Sequence, residues 1–107
     1  MKEIVKIVVF VPETHADAVR EVMGQVGTGK IGNYTFCSFS TKGIGRFLPG
    51  EEADPAIGFV GKMETVQEER IEAICEKAIL PDVINAIKKA HPYEEVAFDI
   101  YSLLSQS

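Results

Sequence analysis

Basic runs, histidine clusters and long apolar stretches are all missing from this sequence, and each absence closes off a class of function. No stretch of Lys and Arg exceeds two residues, and the 107-residue chain carries a formal net charge of −5. Nucleic-acid binding draws much of its free energy from cations that displace counterions, so neither DNA nor RNA is expected as a partner. The longest apolar run, Ile7 to Val11, stops at Pro12. That is far too short for a bilayer span or for the apolar stretch of a secretion signal, so no membrane partner is expected and the cytoplasm is the expected compartment. The two cysteines, Cys37 and Cys75, lack CxxC spacing and are expected as reduced thiols. Only His15 and His91 are present, too few for a multi-histidine metal centre within one subunit.

What is present points to one packed domain. Hydrophobic residues make up 46% and charged residues 25%, inside the globular range and away from disorder. No linker rich in Pro, Ser or Gly divides the chain, so residues 1–107 are read as a single domain.

Periodicity sets out the elements. Glu3 to Val11 is a β-branched run with Val5, Ile7, Val9 and Val11 on one apolar face and Ile4, Lys6, Val8 and Phe10 on the other, as in a central strand. Thr14 and Asp17 resemble a capping box, and Ala18, Val19, Val22, Met23 and Val26 recur at helical spacing up to Gly27, a left-handed stop. Asn33 to Thr41 alternates and is read as the second strand, with Tyr34 and Phe36 opposite Thr35, Cys37 and Phe39. Lys42 to Thr65 holds Gly43, Gly45, Pro49, Gly50, Pro55, Gly58 and Gly61 and is read as a long excursion. Val66 to Glu76 reads as the third strand. Pro81 to Ala90 reads as a helix facing inward with Val83, Ile84, Ile87 and Ala90, and Val96 to Tyr101 reads as the last strand.

The order β-α-β-β-α-β gives an α+β, ferredoxin-like sandwich in which a four-stranded antiparallel sheet carries both helices on one face. The opposite face, roughly 330 Å² in projection, is left bare. Val8, Phe10, Tyr34, Phe36 and Tyr101 are placed there beside Glu68, Arg70, Glu72 and Asp99. So many clustered aromatics predict a homo-oligomer built on this face, a trimer by preference.

Several motifs occur in an order that resembles one family. They are Gly29-Lys30-Ile31-Gly32-Asn33-Tyr34, Cys37-Ser38-Phe39, Gly43-Ile44-Gly45-Arg46-Phe47 with Pro49, Gly61 through Glu64 to Arg70-Ile71-Glu72, and His91-Pro92-Tyr93-Glu94-Glu95. They resemble the insert domain of the NGG-interacting factor three (YqfO-type) proteins, and the resemblance covers essentially the whole chain. It implies a stand-alone homologue of a domain similar to the PII and CutA proteins, which are ferredoxin-like trimers. In the larger relatives that domain sits in a scaffold with a dinuclear metal site, which these 107 residues do not supply, so a metal-hydrolase activity is not carried across.

Candidate chemistry is sparse. Gly27, Gly29 and Gly32 satisfy GxGxxG, but they follow a helix and lead into a strand, the reverse of a dinucleotide loop, and read as a tight connection. His91 with Glu94 and Glu95 reads either as a structural tie at a helix end, whose dipole favours the imidazolium, or as a surface site for Cu²⁺ or Zn²⁺ of the kind associated with CutA-like proteins. Cys37 and Cys75 read as small core residues on neighbouring strands, and His15 as a surface residue. The excursion occupies the position of the PII proteins' ligand-responsive loop. Arg46, Lys62 and Lys30, with the amides of Gly43 and Gly45, are therefore candidates for holding a small anionic ligand, a phosphate-bearing effector among them, unless the loop folds onto an adjacent subunit instead. The adjacent acids Glu51-Glu52, Glu68-Glu69 and Glu94-Glu95 would point to opposite faces of a strand and argue against acid-base catalysis. The expected function is a non-catalytic regulatory or assembly module, with a divalent-metal binder second and an enzyme a distant third.

Overall fold

The computed structural model describes residues 2–104. Strand β1 (Ile4–Pro12) runs through a 3-10 turn at Glu13–His15 into helix α1 (Ala16–Gln25), and strands β2 (Phe39–Phe47) and β3 (Glu64–Glu76) follow. A second 3-10 turn at Lys77–Ile79 opens helix α2 (Leu80–Ala90), and strand β4 (Phe98–Ser102) closes the fold. All pairings are antiparallel in the order β2-β3-β1-β4, so the ferredoxin-like layout expected from the sequence is the one observed.

Alternation along β1 sorts its side chains cleanly. Val5, Ile7, Val9 and Val11 join Ile71, Ala73 and Cys75 of β3 beneath Ala16, Val19 and Met23 of α1 and Val83 and Ile87 of α2. Each of the Val, Ile and Met side chains among them stabilises the fold by about 1.5–3 kcal/mol when fully removed from water. Arg20 adds a polar tie that the sequence pattern did not reveal: from α1 it donates to Asp17, to Glu69 on β3 and to Ser40 on β2. Its hydrogen bonds to Asp17 and then Glu69 raise its pKa above the ordinary value.

Helix α1 ends in a Schellman turn, with Thr28 N–H on the Met23 carbonyl at 2.9 Å and Gly27 N–H on the Gly24 carbonyl at 3.1 Å. Its start differs from expectation. No side chain caps it, because Thr14 Oγ1 lies 2.9 Å from His15 Nδ1 instead of bonding a helix amide.

The largest difference concerns the second strand. It begins six residues later than the alternation predicts and takes in Gly43-Ile44-Gly45-Arg46-Phe47, which was read as loop. Residues 33–38 form an irregular connection instead: Ile31 and Tyr34 bridge each other around Gly32, and Phe36 takes a left-handed φ of 59° that no strand accommodates. Phe36 therefore leaves the bare face and lays its ring on Gly24 of α1, where any Cβ would overlap it. Tyr34 is also outside the sheet, 74% exposed, and Cys37 lies in the connection, so the two thiols are not strand neighbours.

Gly29 explains why this connection is glycine-rich. At φ 84° its N–H meets the Ile74 carbonyl at 2.7 Å and its carbonyl accepts from Cys37 N–H at 2.9 Å, leaving no room for a Cβ against the Cys37 backbone. Gly29→Ala is expected to lower stability by about 3 kcal/mol, from backbone strain and the clash with Cys37 together, whereas Gly32→Ala, strained at φ 57° but with nothing near its missing Cβ, costs about 1 kcal/mol. Urea midpoints of the two variants check this, and equal losses would contradict it.

Candidate functional site

The sheet face away from the helices is not uniformly bare. By register it carries Ile4, Lys6, Val8 and Phe10 of β1, Glu68, Arg70, Glu72 and Ile74 of β3, Phe39, Thr41, Gly43, Gly45 and Phe47 of β2, and Asp99 and Tyr101 of β4. At one end of it the chain's own loop, from Leu48 to Ile57, closes over a cleft of about 810 Å³. Phe10, Glu68 and Arg70 are part of its floor, and Tyr93 to Glu95 with Ala97 form a wall.

The wall is held by a chain of hydrogen bonds. His91, 6% exposed at the end of α2, places Nε2 2.7 Å from the Phe10 carbonyl, and its Nδ1 accepts from Tyr93 N–H at 3.2 Å. A carbonyl can only accept, so Nε2 carries the proton and the ring is the neutral tautomer with both nitrogens engaged. Tyr93 in turn donates its hydroxyl to Glu68 Oε2 at 3.0 Å and sets its ring edge-on to Phe47, centroids 5.5 Å apart. Burial, and then the Glu68 carboxylate, hold the Tyr93 phenol far above its ordinary pKa, so it stays a donor. Asp54 N–H on Glu94 Oε1, at 2.8 Å, ties the roof to the wall.

These contacts sort the residues picked out in the sequence. The structural tie is the role found for His91, and the dipole argument for its imidazolium is overruled: burial lowers its pKa below 6.5, and nearby His15 acts in the same direction. His91, Glu94 and Glu95 are not assembled as a ligand set, since both imidazole nitrogens are occupied and Glu94 is turned to the Asp54 amide. Among the described residues no three His, Cys, Asp or Glu side chains are grouped to hold a metal ion.

Gly43, Gly45 and Arg46 do line the cleft, but as strand residues, so the glycine amides form no loop nest. Arg46 alternates to the opposite face of β2 from Gly43 and Gly45. Lys30 and Lys62 are exposed residues outside the cleft lining. Of the side chains assigned to the oligomer face, Phe10, Arg70 and Tyr101 are there, Tyr34 and Phe36 are not, and Val8 is 0% exposed because the chain itself covers it.

Glu68 was placed on this face from the sequence, but its bond to Tyr93 escaped that reading. The signal was the Gly-Ile-Gly spacing of β2: the Glu68 carboxylate rests where a Cβ of residue 45 would stand, and glycine inside a strand marks such an approach.

The pH dependence of stability follows from His91. A folded pKa below 6.5 means that the unfolded chain binds the proton first, so this contribution is whole above pH 6.5 and is lost as the pH falls through the folded value. As the pH falls below 6.5 the unfolding free energy is expected to decline by at most ~1.4 kcal/mol per pH unit until the folded protein also takes up the proton, with this slope absent in His91→Gln. Parallel urea titrations of the two proteins check this, and superimposable profiles would contradict it.

No protein-family model matches this chain. It is 48% identical over 101 residues to the GTP cyclohydrolase 1 type 2 homolog of Halalkalibacterium halodurans, covering 94% of this chain and 27% of that protein. The Bacillus subtilis protein of the same name is 49% identical over 96 residues, covering 90% of this chain and 26% of that one. The chain thus spans about a quarter of the length of the curated relatives it matches. A Bacillus cereus protein related to NIF3 superposes with TM-score 0.83 at 48% identity, over 95% of this chain and 26% of that one. The fold also matches divalent ion tolerance protein CutA1 from Ehrlichia chaffeensis, TM-score 0.69 at 13% identity, over the whole of this chain and 87% of that one. The Bacillus subtilis GlnK-ATP complex follows, TM-score 0.64 at 11% identity, over 96% of this chain and 84% of that one. This chain is thus a homologue of one segment, about a quarter, of the NIF3-related (YqfO-type) proteins named GTP cyclohydrolase 1 type 2 homologs, and it has the PII/CutA-like ferredoxin fold.

Proposed function

We propose that this chain is a non-catalytic binding module that self-associates through the uncovered part of its sheet and takes a small anionic ligand in the cleft at the other end. The observation that carries the reading is the division of one sheet face into two zones. Loop 48–57 and segment 93–97 roof the Phe10 to Phe47 end, where the cleft has the size and apolar lining of small-molecule sites. The remainder presents Phe39, 67% exposed, and Tyr101, 44% exposed, beside Lys6, Glu72 and Ile74.

That remainder suits a second copy of this chain. Its charged groups Lys6, Arg70 and Glu72 are already paired, Lys6 to Glu72 at 3.8 Å and Arg70 to Glu72 at 3.7 Å, so burial against a second copy would leave none of the three charges without a partner. Both β2 and β4 are edge strands, a further route to pairing between copies. A trimer is the preferred assembly, by analogy with the PII and CutA proteins whose fold the chain shares.

Two residue environments support a role without catalysis. The Cys75 thiol is pushed above its ordinary pKa, first by burial and then by Glu76, which keeps it protonated and inert. His91, the imidazole nearest the cleft, has neither nitrogen available for proton transfer.

Light scattering at micromolar concentration is expected to give a multiple of 11.7 kDa, three chains by preference. Joint replacement Phe39→Asp and Tyr101→Asp is expected to reduce the mass to one chain. A wild-type mass of one chain would remove the assembly half of this reading.

A further inference from the structure

The cleft contains cations, carboxylates and a large apolar lining, and their arrangement narrows the ligand class. Three cations touch it, Lys42, Arg46 and Arg70. Alternation along β2 sends the Lys42 and Arg46 side chains to the helix face, away from Gly43 and Phe47, whereas Arg70 shares the floor with Phe10 and Glu68. Arg70 is therefore the one guanidinium or ammonium group aimed at the cleft among the described residues.

Its surroundings hold it ready and leave it underused. The guanidinium lies over the Phe10 ring, 5.7 Å from its centroid, an orientation that cation–π attraction and stacking favour. Its one ionic neighbour, Glu72, approaches Nε at 3.7 Å, beyond hydrogen-bond reach. The terminal nitrogens are a planar fork suited to the two oxygens of a carboxylate.

The carboxylates of the cleft set an upper bound on ligand charge. Glu68, Glu94 and Glu95 line it; Glu68 is occupied by the Tyr93 hydroxyl and Glu94 by the Asp54 amide. A triphosphate would meet one inward cation and three acids, and repulsion exceeds attraction in that balance. A single negative charge meets the same acids with about a quarter of that repulsion and is matched one to one by Arg70. The rest of the lining, Phe10, Phe47, Leu48, Pro55, Ile57 and Tyr93, offers apolar and aromatic surface for an uncharged body.

We propose that the cleft binds an apolar or aromatic monocarboxylate, its carboxylate held by Arg70 above Phe10 and its body packed beneath loop 48–57. This rests on the reading of the cleft as a small-anion site and sharpens it.

Calorimetry and ligand-observed NMR on the full chain, with phenylbutyrate, decanoate, uncharged phenylbutanol and ATP as probes, test the assignment. Saturable binding of at least one carboxylate is expected, about tenfold or more weaker for phenylbutanol than for phenylbutyrate, and about tenfold or more weaker for the carboxylate after Arg70→Gln. Lys62→Gln is expected to bind as wild type does. The alcohol comparison needs no substitution and decides the matter even if Arg70→Gln fails to fold. Equal affinity for alcohol and acid, or an unchanged affinity in a folded Arg70→Gln, would overturn the proposal. ATP binding tighter than either carboxylate would also overturn it while sustaining the wider small-anion reading. No saturable binding by any probe would overturn both, leaving self-association to stand on its own measurement.

Discussion

Two helices can cover only one face of a four-stranded sheet, and the rest of this molecule is a response to that constraint. β1 shows it most sharply. Val5, Ile7, Val9 and Val11 lie wholly beneath α1 and α2, while the alternate residues Lys6, Val8 and Phe10 face a side with no helical layer. The chain supplies part of the missing layer itself. His91 anchors the start of a short wall to the Phe10 carbonyl, Tyr93 fastens it to Glu68 and Phe47, and Asp54 joins the loop to Glu94. What this partial roof encloses is a cleft, and what it leaves is a smaller apolar surface.

Elements whose burial is one-sided were legible in the sequence. β1, α1, α2 and β3 follow the core, so their apolar residues recur at the period of a strand or a helix. β2 was misplaced because it is an edge strand with little burial on either face, and so carries no such period. Its Gly43 and Gly45 looked like loop punctuation. They are strand glycines, and at Gly45 the absent side chain makes room for Glu68. Tyr34 and Phe36 alternate in the text by coincidence, and the positive φ of Phe36 cannot be read from a phenylalanine.

The site was legible in pieces and not as a whole. His91-Pro92-Tyr93-Glu94-Glu95 stood out as a unit, and the structural role considered for His91 is the one its two hydrogen bonds give it. Arg70 was placed on the correct face, but as an interface residue. That it lies on Phe10 at the cleft floor, while Arg46 faces away, depends on the true register of β2, which a six-residue error conceals. The relatives divide in the same way. Near-50% identity over this segment, about a quarter of the curated proteins, fixes kinship, whereas CutA1 and GlnK share the fold at 11–13% identity and speak only to architecture.

The central claim is that the unroofed zone of the sheet is a contact surface and the loop tip is not. Hydroxyl-radical footprinting across a dilution series reads both at once, because Phe39 and Tyr101 lie in that zone while Phe59, 70% exposed, lies in the loop between β2 and β3. Labelling of Phe39 and Tyr101 is predicted to fall as concentration rises, with Phe59 unchanged. Concentration-independent labelling of Phe39 and Tyr101 would contradict the account.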